Sequence, residues 1–357
     1  MEREKIYIPL MDPIMALPER EFPISKKDNL MKAFRHEKPV WMPILTHATQ
    51  WVFPDSFKDM PPGGPHGTMY DPNLPASEQK TTADWFGVLY KSSGPADPPI
   101  NVKGIFNEIG EWKEKMHFPD LEAIDWAADA KDFHRAPDLA LATRLGSGIF
   151  ERLHMCEGFE QCLVDIISEP EECKEFFDRV GQYKIDSFRH MHEVFKFDYI
   201  ISHDDWATAR AQFFSAQTFV ETLLECTVKL ADTVKKAGCA FMSHCCGKME
   251  AWLPYFVNEI HADALEIQPI NDIRGILDKW GGQITPSIHT DPYIMYDPDV
   301  KEEDIRAYAR SIVDKYGAQT CDGSGAIVYL GGSIPALYYA FEDELFNYSY
   351  EKYANLK

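Results

Sequence analysis

The sequence has 357 residues, a formal net charge of −21 and a hydrophobic content of 45%. This length and hydrophobic content fit one large α/β domain, whereas the acidic balance, without any basic run, argues against nucleic acid and anionic membrane surfaces as partners. No apolar stretch is long enough to span a membrane, and residues 1–5 are too charged to begin a signal peptide, so we expect a cytoplasmic protein with reduced thiols.

The first hundred residues are predicted to hold an arm, a helix, a strand and a long elaboration. Residues 1–24 are rich in Pro, Met and Glu without periodicity, which favours an arm lying on the domain formed by residues 25–357. Ser25 to Asp28 resembles a capping box and predicts the start of a helix. Val40–Leu45 is predicted as the first strand. Residues 53–99, centred on Pro61 to Pro65, are too rich in proline for a helix or a central strand, so they form either a surface excursion or a lid over a site.

The rest of the chain alternates short apolar runs with longer amphipathic segments. Strands are predicted at Trp85–Tyr90, Gly148–Leu153, Phe197–Ser202, Phe241–His244, Ala264–Ile267, Gln283–Ile288 and Ala326–Leu330. Helices are predicted at Phe159–Ile167, Pro170–Phe195, Ala216–Lys236, Lys248–Ile260, Ile273–Trp280, Glu302–Tyr316 and Pro335–Tyr353. Such alternation predicts a parallel sheet. About eight units, with no Gly-x-Gly-x-x-Gly opening a helix, favour a single (β/α)8 TIM-type barrel over an open Rossmann sheet, so reactive groups are expected where strands end.

One short motif offers two metal ligands of the right kind. His244 and Cys246 follow an apolar run and precede Gly247, and strand alternation points their side chains the same way while Cys245 points the other way. Imidazole and thiolate are typical zinc ligands. The alternative is a purely structural role, with a buried cysteine beside a histidine that caps the next helix.

Other strand exits supply the remaining candidate site residues. Asp205 and His203 are predicted to be catalytic, because a carboxylate or an imidazole at a strand exit can act as a general acid or orient a substrate. Asp205 has the alternative role of capping the loop that follows it. The predicted substrate-binding residues are His47, Trp51, Trp206, Phe214 and Gln268. Their aromatic members suit an apolar donor, although aromatic clusters also form cores.

With these residues in place, the chain resembles the uroporphyrinogen decarboxylase-like superfamily. The resemblance rests on Pro39-Val40-Trp41, Asp204-Asp205-Trp206 followed by Phe214-Ser215, His244-x-Cys246-Gly247, Gln268-Pro269, and the stretch from Gly281-Gly282 to Asp304-Ile305. True decarboxylases of the superfamily carry an Arg-Gln-Ala-Gly-Arg segment after the first strand, because their substrate is a polycarboxylate. Here residues 42–47 read Met-Pro-Ile-Leu-Thr-His, with no arginine, which disfavours decarboxylation.

The His-x-Cys motif is similar to that of the zinc-dependent, corrinoid-dependent methyltransferases of the superfamily. The resemblance implies Zn²⁺ at His244 and Cys246, with a further cysteine as the third zinc ligand in a turn after the last strand, where this chain has Gly332. Cys321 is a further candidate ligand, but it precedes the last strand and is expected at the wrong end of the barrel. The remaining ligand is then expected from another strand exit. The candidates are His203, Asp205, Glu266 and His289.

The function that this resemblance implies is methyl transfer. A methyl group would move between a small methyl donor, such as a methyl ether, or a thiol acceptor, and a corrinoid carried on a partner protein, with zinc controlling the charge on the heteroatom. Two alternatives stay open. One is uroporphyrinogen decarboxylase activity, and the other is a non-catalytic accessory protein that binds a corrinoid.

Overall fold

The computed structural model describes residues 4–8, 11–17, 20–59, 81–91, 100–331 and 334–356. The chain divides into two compact units. The first unit comprises residues 1–51, 135–142 and 240–357, and the second unit comprises residues 52–134 and 143–239. The single domain over residues 25–357 stays a prediction. No helix in the described part of the chain has the length and apolar character needed to cross a membrane.

The strands in chain order are β1 Glu4–Ile8, β2 Met11–Leu17, β3 Thr49–Trp51, β4 Thr81–Ala83, β5 Leu89–Lys91, β6 Ile100–Lys103, β7 Ala140–Leu145, β8 Tyr199–His203, β9 Ala240–His244, β10 Ala264–Ile267, β11 Thr285–His289 and β12 Ile327–Tyr329. The α-helices are α1 Lys26–Phe34, α2 Leu45–Ala48, α3 Trp112–Lys115, α4 Trp126–Ala130, α5 Ile149–Glu157, α6 Phe159–Ser168, α7 Pro170–Phe195, α8 Ala216–Thr222, α9 Leu224–Lys236, α10 Leu253–Asn258, α11 Ile273–Trp280, α12 Pro292–Met295, α13 Glu302–Tyr316 and α14 Pro335–Tyr353.

The main sheet confirms the predicted α/β class with parallel strands. Its seven strands lie in the order β12-β11-β10-β9-β8-β7-β3. Within the first unit, β9 to β12 pair in parallel with their neighbours, and β3 pairs in parallel with β7. Ile44 forms a single parallel bridge with Val328 of β12. This pattern is compatible with a TIM-type barrel, and the closed eight-stranded barrel stays a prediction because Ile44 contributes one bridge and not a strand.

Two predicted strands near the N-terminus are wrong. Only Ile44 of Val40–Leu45 pairs with a strand, because Pro39 and Pro43 lack the N–H that a ladder needs and α2 begins at Leu45. Of Trp85–Tyr90, only its last two residues are in a strand, β5, which belongs to a separate antiparallel sheet with β4 and β6. The Asp84 carboxylate accepts the N–H groups of Phe86 and Val88 and turns the chain there. The centre of the proline-rich elaboration lies outside the described residues.

A third predicted strand, Gly148–Leu153, is the first part of helix α5. The strand that precedes this helix is β7, which ends three residues before Gly148. The helix start is stabilised by two carboxylates. Glu151 accepts the Gly148 N–H at 2.6 Å, and Asp204 accepts the N–H groups of Phe150 and Glu151 at 2.9 and 3.0 Å. Six apolar-rich residues fit a strand or a helix equally well, and the capping contacts decide for the helix.

The longer helices are largely where the sequence predicts them. The bounds of α7, α11, α13 and α14 equal the predicted ones. In α7 and α13 the amphipathic period extends over several turns, which makes the helix easy to recognise. The helix predicted over Ala216–Lys236 divides at Leu223, and the one predicted over Lys248–Ile260 shortens to α10. The arm contains an antiparallel hairpin, β1 and β2, which its composition did not indicate.

The second unit buries a network of four charged side chains. Arg152 donates to Asp84 at 2.5 Å and to Asp59 at 3.0 Å, and its Nη2 also donates to Ser147 Oγ at 2.6 Å. Lys184 donates to the second carboxylate oxygen of Asp59. Two cations and two carboxylates, all in the interior, form a balanced set that connects α5 and α7 to the residues on either side of the proline-rich elaboration.

Candidate metal site

The register of the first unit's parallel strands brings three candidate ligands to one end of the sheet. His244, the last residue of β9, lies opposite Glu266 of β10. Glu266 lies opposite Ser287 of β11, and His289 follows Ser287 by two residues, on the same face. Because these strands are parallel, their carboxyl ends meet at the same edge. His244, Glu266 and His289 therefore converge, with all three ligand atoms within 4.8 Å of one another.

The Glu266 carboxylate is at the centre of this cluster. It is 1% exposed, and its Oε1 atom lies 2.9 Å from Nδ1 of His244 and 2.9 Å from Nε2 of His289. A buried carboxylate is stable only with such partners. The Glu266 carboxylate therefore lies on the Nδ1 side of the His244 ring, and Nε2 lies on the other side of the ring, where Cys246 approaches it.

Cys246 faces this second nitrogen. Its Sγ atom lies 3.4 Å from Nε2 of His244. Zinc–nitrogen and zinc–sulfur bonds at a tetrahedral angle separate the two ligand atoms by about 3.6 Å. Gly247 follows with φ +84°, a conformation that glycine adopts without strain and that turns the chain directly after the ligand. The donor set and its spacing therefore fit zinc, with Glu266 orienting the imidazole from behind.

His289 is the most accessible member of the cluster. Its side chain is 31% exposed, and its ring stacks on Tyr329 of β12 with centroids 4.5 Å apart and planes 10° from parallel. The stack and the contact with Glu266 together fix the plane of the imidazole. His289 can thus serve as a further metal ligand or present a ring edge to a substrate beside the metal.

The structure does not bring Cys321 into the cluster. Cys321 lies next to Gly281, where an added Cβ would meet Cys321 Cβ at 3.2 Å. Gly281 precedes β11 and Cys321 precedes β12, so this contact is at the amino ends of the strands, opposite the end that carries His289. This position agrees with the expectation from the sequence that Cys321 lies at the end of the strands away from the site. Gly332, at the place where the resemblance implies a cysteine as the third zinc ligand, lies outside the described residues.

Three other candidates in the first unit have different surroundings. His47 is buried, and its Nε2 lies 2.7 Å from the Tyr338 hydroxyl. Burial, followed by the charges of Lys26 and Arg20, lowers the pKa of His47 to about 3, so the ring is neutral. Gln268 lies beside Cys246 and accepts the N–H of Gly247 in the turn that follows it. Trp51 is half-buried in β3.

The second unit holds both predicted catalytic residues, His203 and Asp205. Its structure adds Glu151, which the sequence did not suggest. His203 ends β8, and its Nδ1 lies 3.2 Å from the Glu151 carboxylate. Burial opposes charge on this imidazole, but Glu151 outweighs burial and raises the pKa of His203 above its ordinary value. The sequence does not single out Glu151, because the strand predicted over residues 148–153 offers no role to a capping-box glutamate. Asp205, two residues after His203, is half-buried.

The aromatic candidates of the second unit are packed into its interior. Trp206 is 2% exposed and lies 4.9 Å from the ring of Phe219. Phe214 is 6% exposed and lies 5.0 Å from Phe150. These positions agree with the alternative that aromatic clusters form cores. Its neighbour Asp204 binds the start of α5, and the loop-capping alternative for Asp205 stays a prediction.

No protein-family model matches the sequence, and no curated protein matches it either. Among solved structures, a methyltransferase from Methanosarcina mazei is similar, with a TM-score of 0.59 and 13% identity over 90% of this chain and 98% of that one. At this identity the likeness shows a shared fold. A uronate isomerase from Bacillus halodurans C-125 matches with a TM-score of 0.32 and 14% identity over 67% of this chain and 56% of that one. This score is too low to indicate a shared fold.

Proposed function

We propose that this chain is a methyltransferase of the uroporphyrinogen decarboxylase-like superfamily that exchanges a methyl group with a corrinoid on a partner protein. The observation that carries the proposal is the 3.4 Å approach of Cys246 Sγ to Nε2 of His244, with Glu266 behind the imidazole. The fold shared with a methyltransferase from Methanosarcina mazei supports the same class.

Zinc bound by His244 and Cys246 would supply a Lewis acid for the heteroatom that gains or loses the methyl group. The chain's own residues hold that position. Glu266 lies against Nδ1 of the His244 ring, and the turn after Cys246 keeps the sulfur beside Nε2. His289, stacked on Tyr329, has a partly exposed edge next to the cluster and can orient a substrate there.

A methyl donor fits this site better than a thiol acceptor. The further cysteine that is the third zinc ligand in the methyltransferases this chain resembles is replaced by Gly332, so the site has one thiolate fewer and less negative charge around the metal. A less electron-rich zinc is a stronger Lewis acid for a neutral ether or amine. We therefore infer that the reaction runs from a small methyl donor, such as a methyl ether, to the corrinoid.

The rival decarboxylase activity needs fixed cations for a polycarboxylated tetrapyrrole. Residues 42–47, where those decarboxylases carry arginines, contain no cation and are buried. Met42 and Leu45 are both 0% exposed. The segment thus contributes to the core of the first unit and not to a cationic cavity.

A corrinoid partner requires an accessible surface near the cluster. The segments after β10 and β11, the second of which includes α12, expose large apolar side chains, among them Tyr293 at 89%, Ile270 at 43% and Tyr296 at 41%. These segments follow the strands that carry Glu266 and His289, so they rim the same end of the first unit. We assign this rim to transient docking of the corrinoid protein.

The catalytic roles predicted for Asp205 and His203 remain part of this proposal. Replacing Asp205 by Asn is expected to lower turnover by at least about tenfold, which corresponds to roughly 1.4 kcal/mol of barrier, without a matching loss of stability. An early-melting variant with normal specific activity would show instead that Asp205 is structural.

The experiment that tests the proposal measures methylation of free cob(I)alamin by its absorbance change. The zinc-loaded wild-type chain is mixed with a panel of methyl ethers and methylamines, and the His244→Ala/Cys246→Ser double variant is the comparison. Methylation by the wild type and loss in the variant are expected. Equal rates in both proteins, or release of carbon dioxide from uroporphyrinogen without any corrinoid, would overturn the proposal.

A further inference from the structure

The turn that carries Cys246 is held by two side chains from the loop after β10. One of them is Asn271, which is 6% exposed. Its Nδ2 donates to the Gly247 carbonyl at 2.9 Å and to the Gln268 carbonyl at 3.0 Å. Its Oδ1 accepts the Met249 N–H at 2.7 Å. Asn271 therefore binds only backbone atoms, and its contribution to the turn is structural.

The second side chain, Gln268, contacts both the backbone of the turn and the sulfur. Its Oε1 accepts the Gly247 N–H at 2.9 Å, and its Nε2 lies 3.5 Å from Cys246 Sγ. The Gly247 N–H can only donate, so it requires the amide oxygen on its side. The NH₂ group of Gln268 must then face the sulfur, which fixes the orientation of the amide.

We propose that Gln268 is a positioning residue of the metal site, which sets the place of the Cys246 sulfur and tunes its electron density. This inference rests on the proposed function, because it takes Cys246 to be a metal ligand. An N–H donor pointing at a thiolate makes a charge-assisted hydrogen bond. Such a bond withdraws electron density from the sulfur, so the bound metal receives less of it and becomes a stronger Lewis acid.

The proposal gives Gln268 a role different from the substrate contact that the sequence suggested. The amide has one oxygen and one NH₂ group, and both are directed at the Cys246–Gly247 turn. A site with one thiolate is more sensitive to this bond than a site with two, because the single sulfur carries all of the thiolate charge.

The test uses Co²⁺ in place of zinc, since a cysteine ligand gives the cobalt protein a sulfur-to-metal charge-transfer band. Gln268→Glu keeps an oxygen for the Gly247 N–H and replaces the donor that faces the sulfur. This change is expected to raise the energy of the sulfur electrons and to move the band to longer wavelength. Gln268→Met, which is neutral, is expected to move the band in the same direction by less.

The matched control is Asn271→Asp. It makes the same amide-to-carboxylate change, with the same added charge, at the other side chain that holds the turn, but it removes no donor from the sulfur. It is expected to weaken cobalt binding while leaving the band in place. A purely structural role for Gln268 would instead weaken binding in all three variants and shift the band in none. That result would overturn the inference.

Different results would contradict the proposed function and the role of Gln268. If cobalt binds to the wild type without a charge-transfer band, Cys246 is not a ligand, and the proposed function and the inference both fail. If the wild type has the band and both Gln268 variants, shown to be folded by circular dichroism, have it at the same wavelength, the inference fails while the proposed function stands.

Discussion

The carboxylate of Glu266 lies 2.9 Å from Nδ1 of His244, directly opposite it on the neighbouring strand. Glu266 thus lies on the Nδ1 side of the ring, and Cys246 Sγ approaches the other nitrogen, Nε2, to 3.4 Å. The parallel register of β9 and β10 therefore determines the chemistry of the site, because a shift of one residue would turn Glu266 to the other face of the sheet.

Replacing Glu266 by Gln should test whether this carboxylate orients the histidine or binds the metal itself. As an orienting partner, its loss is expected to weaken zinc binding by about 10–100-fold, measured by competition with a chelator. Glu259→Gln, at an exposed position after α10, is the control and should have no effect. Complete loss of zinc would make Glu266 a ligand, and an unchanged affinity would contradict both roles.

Tyr293 should matter for the protein partner but not for the small substrate. Its side chain is 89% exposed, so Tyr293→Ala is expected to leave stability unchanged. With a corrinoid protein as the acceptor, KM for that protein should rise at least about tenfold, as expected for an aromatic anchor at an interface. With free cob(I)alamin, kcat/KM should be that of the wild type. Equal effects on both acceptors would exclude a docking role.

Arg152 should be essential for the stability of the second unit. Arg152→Met would leave Asp59 and Asp84 in the interior without their shared partner, and losing one member of a buried ion set costs about 3–5 kcal/mol. The control is Arg189→Met, which removes an exposed pair with Asp186 and should cost less than about 1 kcal/mol. Urea unfolding measures both. Similar values for the two variants would show that the buried network contributes little.

Glu157 should make stability depend on pH in the neutral and alkaline range. Burial, followed by the nearby Asp165 carboxylate, raises the pKa of Glu157 to about 9. The folded state thus holds this proton more tightly than the unfolded state, so its stabilising effect is complete below the ordinary carboxyl pKa and is lost as pH rises towards about 9.

The difference in melting temperature between Glu157→Gln and the wild type isolates this effect from other titrating groups. It is expected to grow in favour of the variant from about pH 5 to about pH 9. Glu160→Gln, an exposed change on α6, should give a difference that does not vary with pH. A constant difference for Glu157→Gln as well would show that its carboxyl group is not protonated in the folded protein.

The sequence predicted long helices well and short strands less well, for a physical reason. In α7 the amphipathic period repeats over 26 residues, and the signal accumulates. Gly148–Leu153 offers only six residues, which fit two periods, and its helical state depends on Asp204, 54 residues from Phe150 along the chain. Contacts of this kind follow from the tertiary structure and have no local signal.

The same distinction applies to the candidate site. His244 and Cys246 could be predicted together because a two-residue spacing at a strand end puts both side chains on one side. The sequence indicates Glu266 and His289 only as two of several candidate ligands at strand exits. Their convergence with His244 depends on the register of β9, β10 and β11, which the sequence does not reveal. The N–H donor of Gln268 could not be predicted, because it depends on the turn at Gly247, whose positive φ is not encoded by the motif alone.

The most direct test of this account is the zinc content of the purified chain, measured by mass spectrometry of the metal after exposure to zinc and removal of the excess. The wild type and Cys245→Ser, whose thiol is fully buried and donates to the Cys246 carbonyl, are each expected to hold one zinc ion per chain. The His244→Ala/Cys246→Ser double variant is expected to hold none while remaining folded. Zinc at full occupancy in the double variant, or a wild-type chain that binds no zinc, would contradict the account.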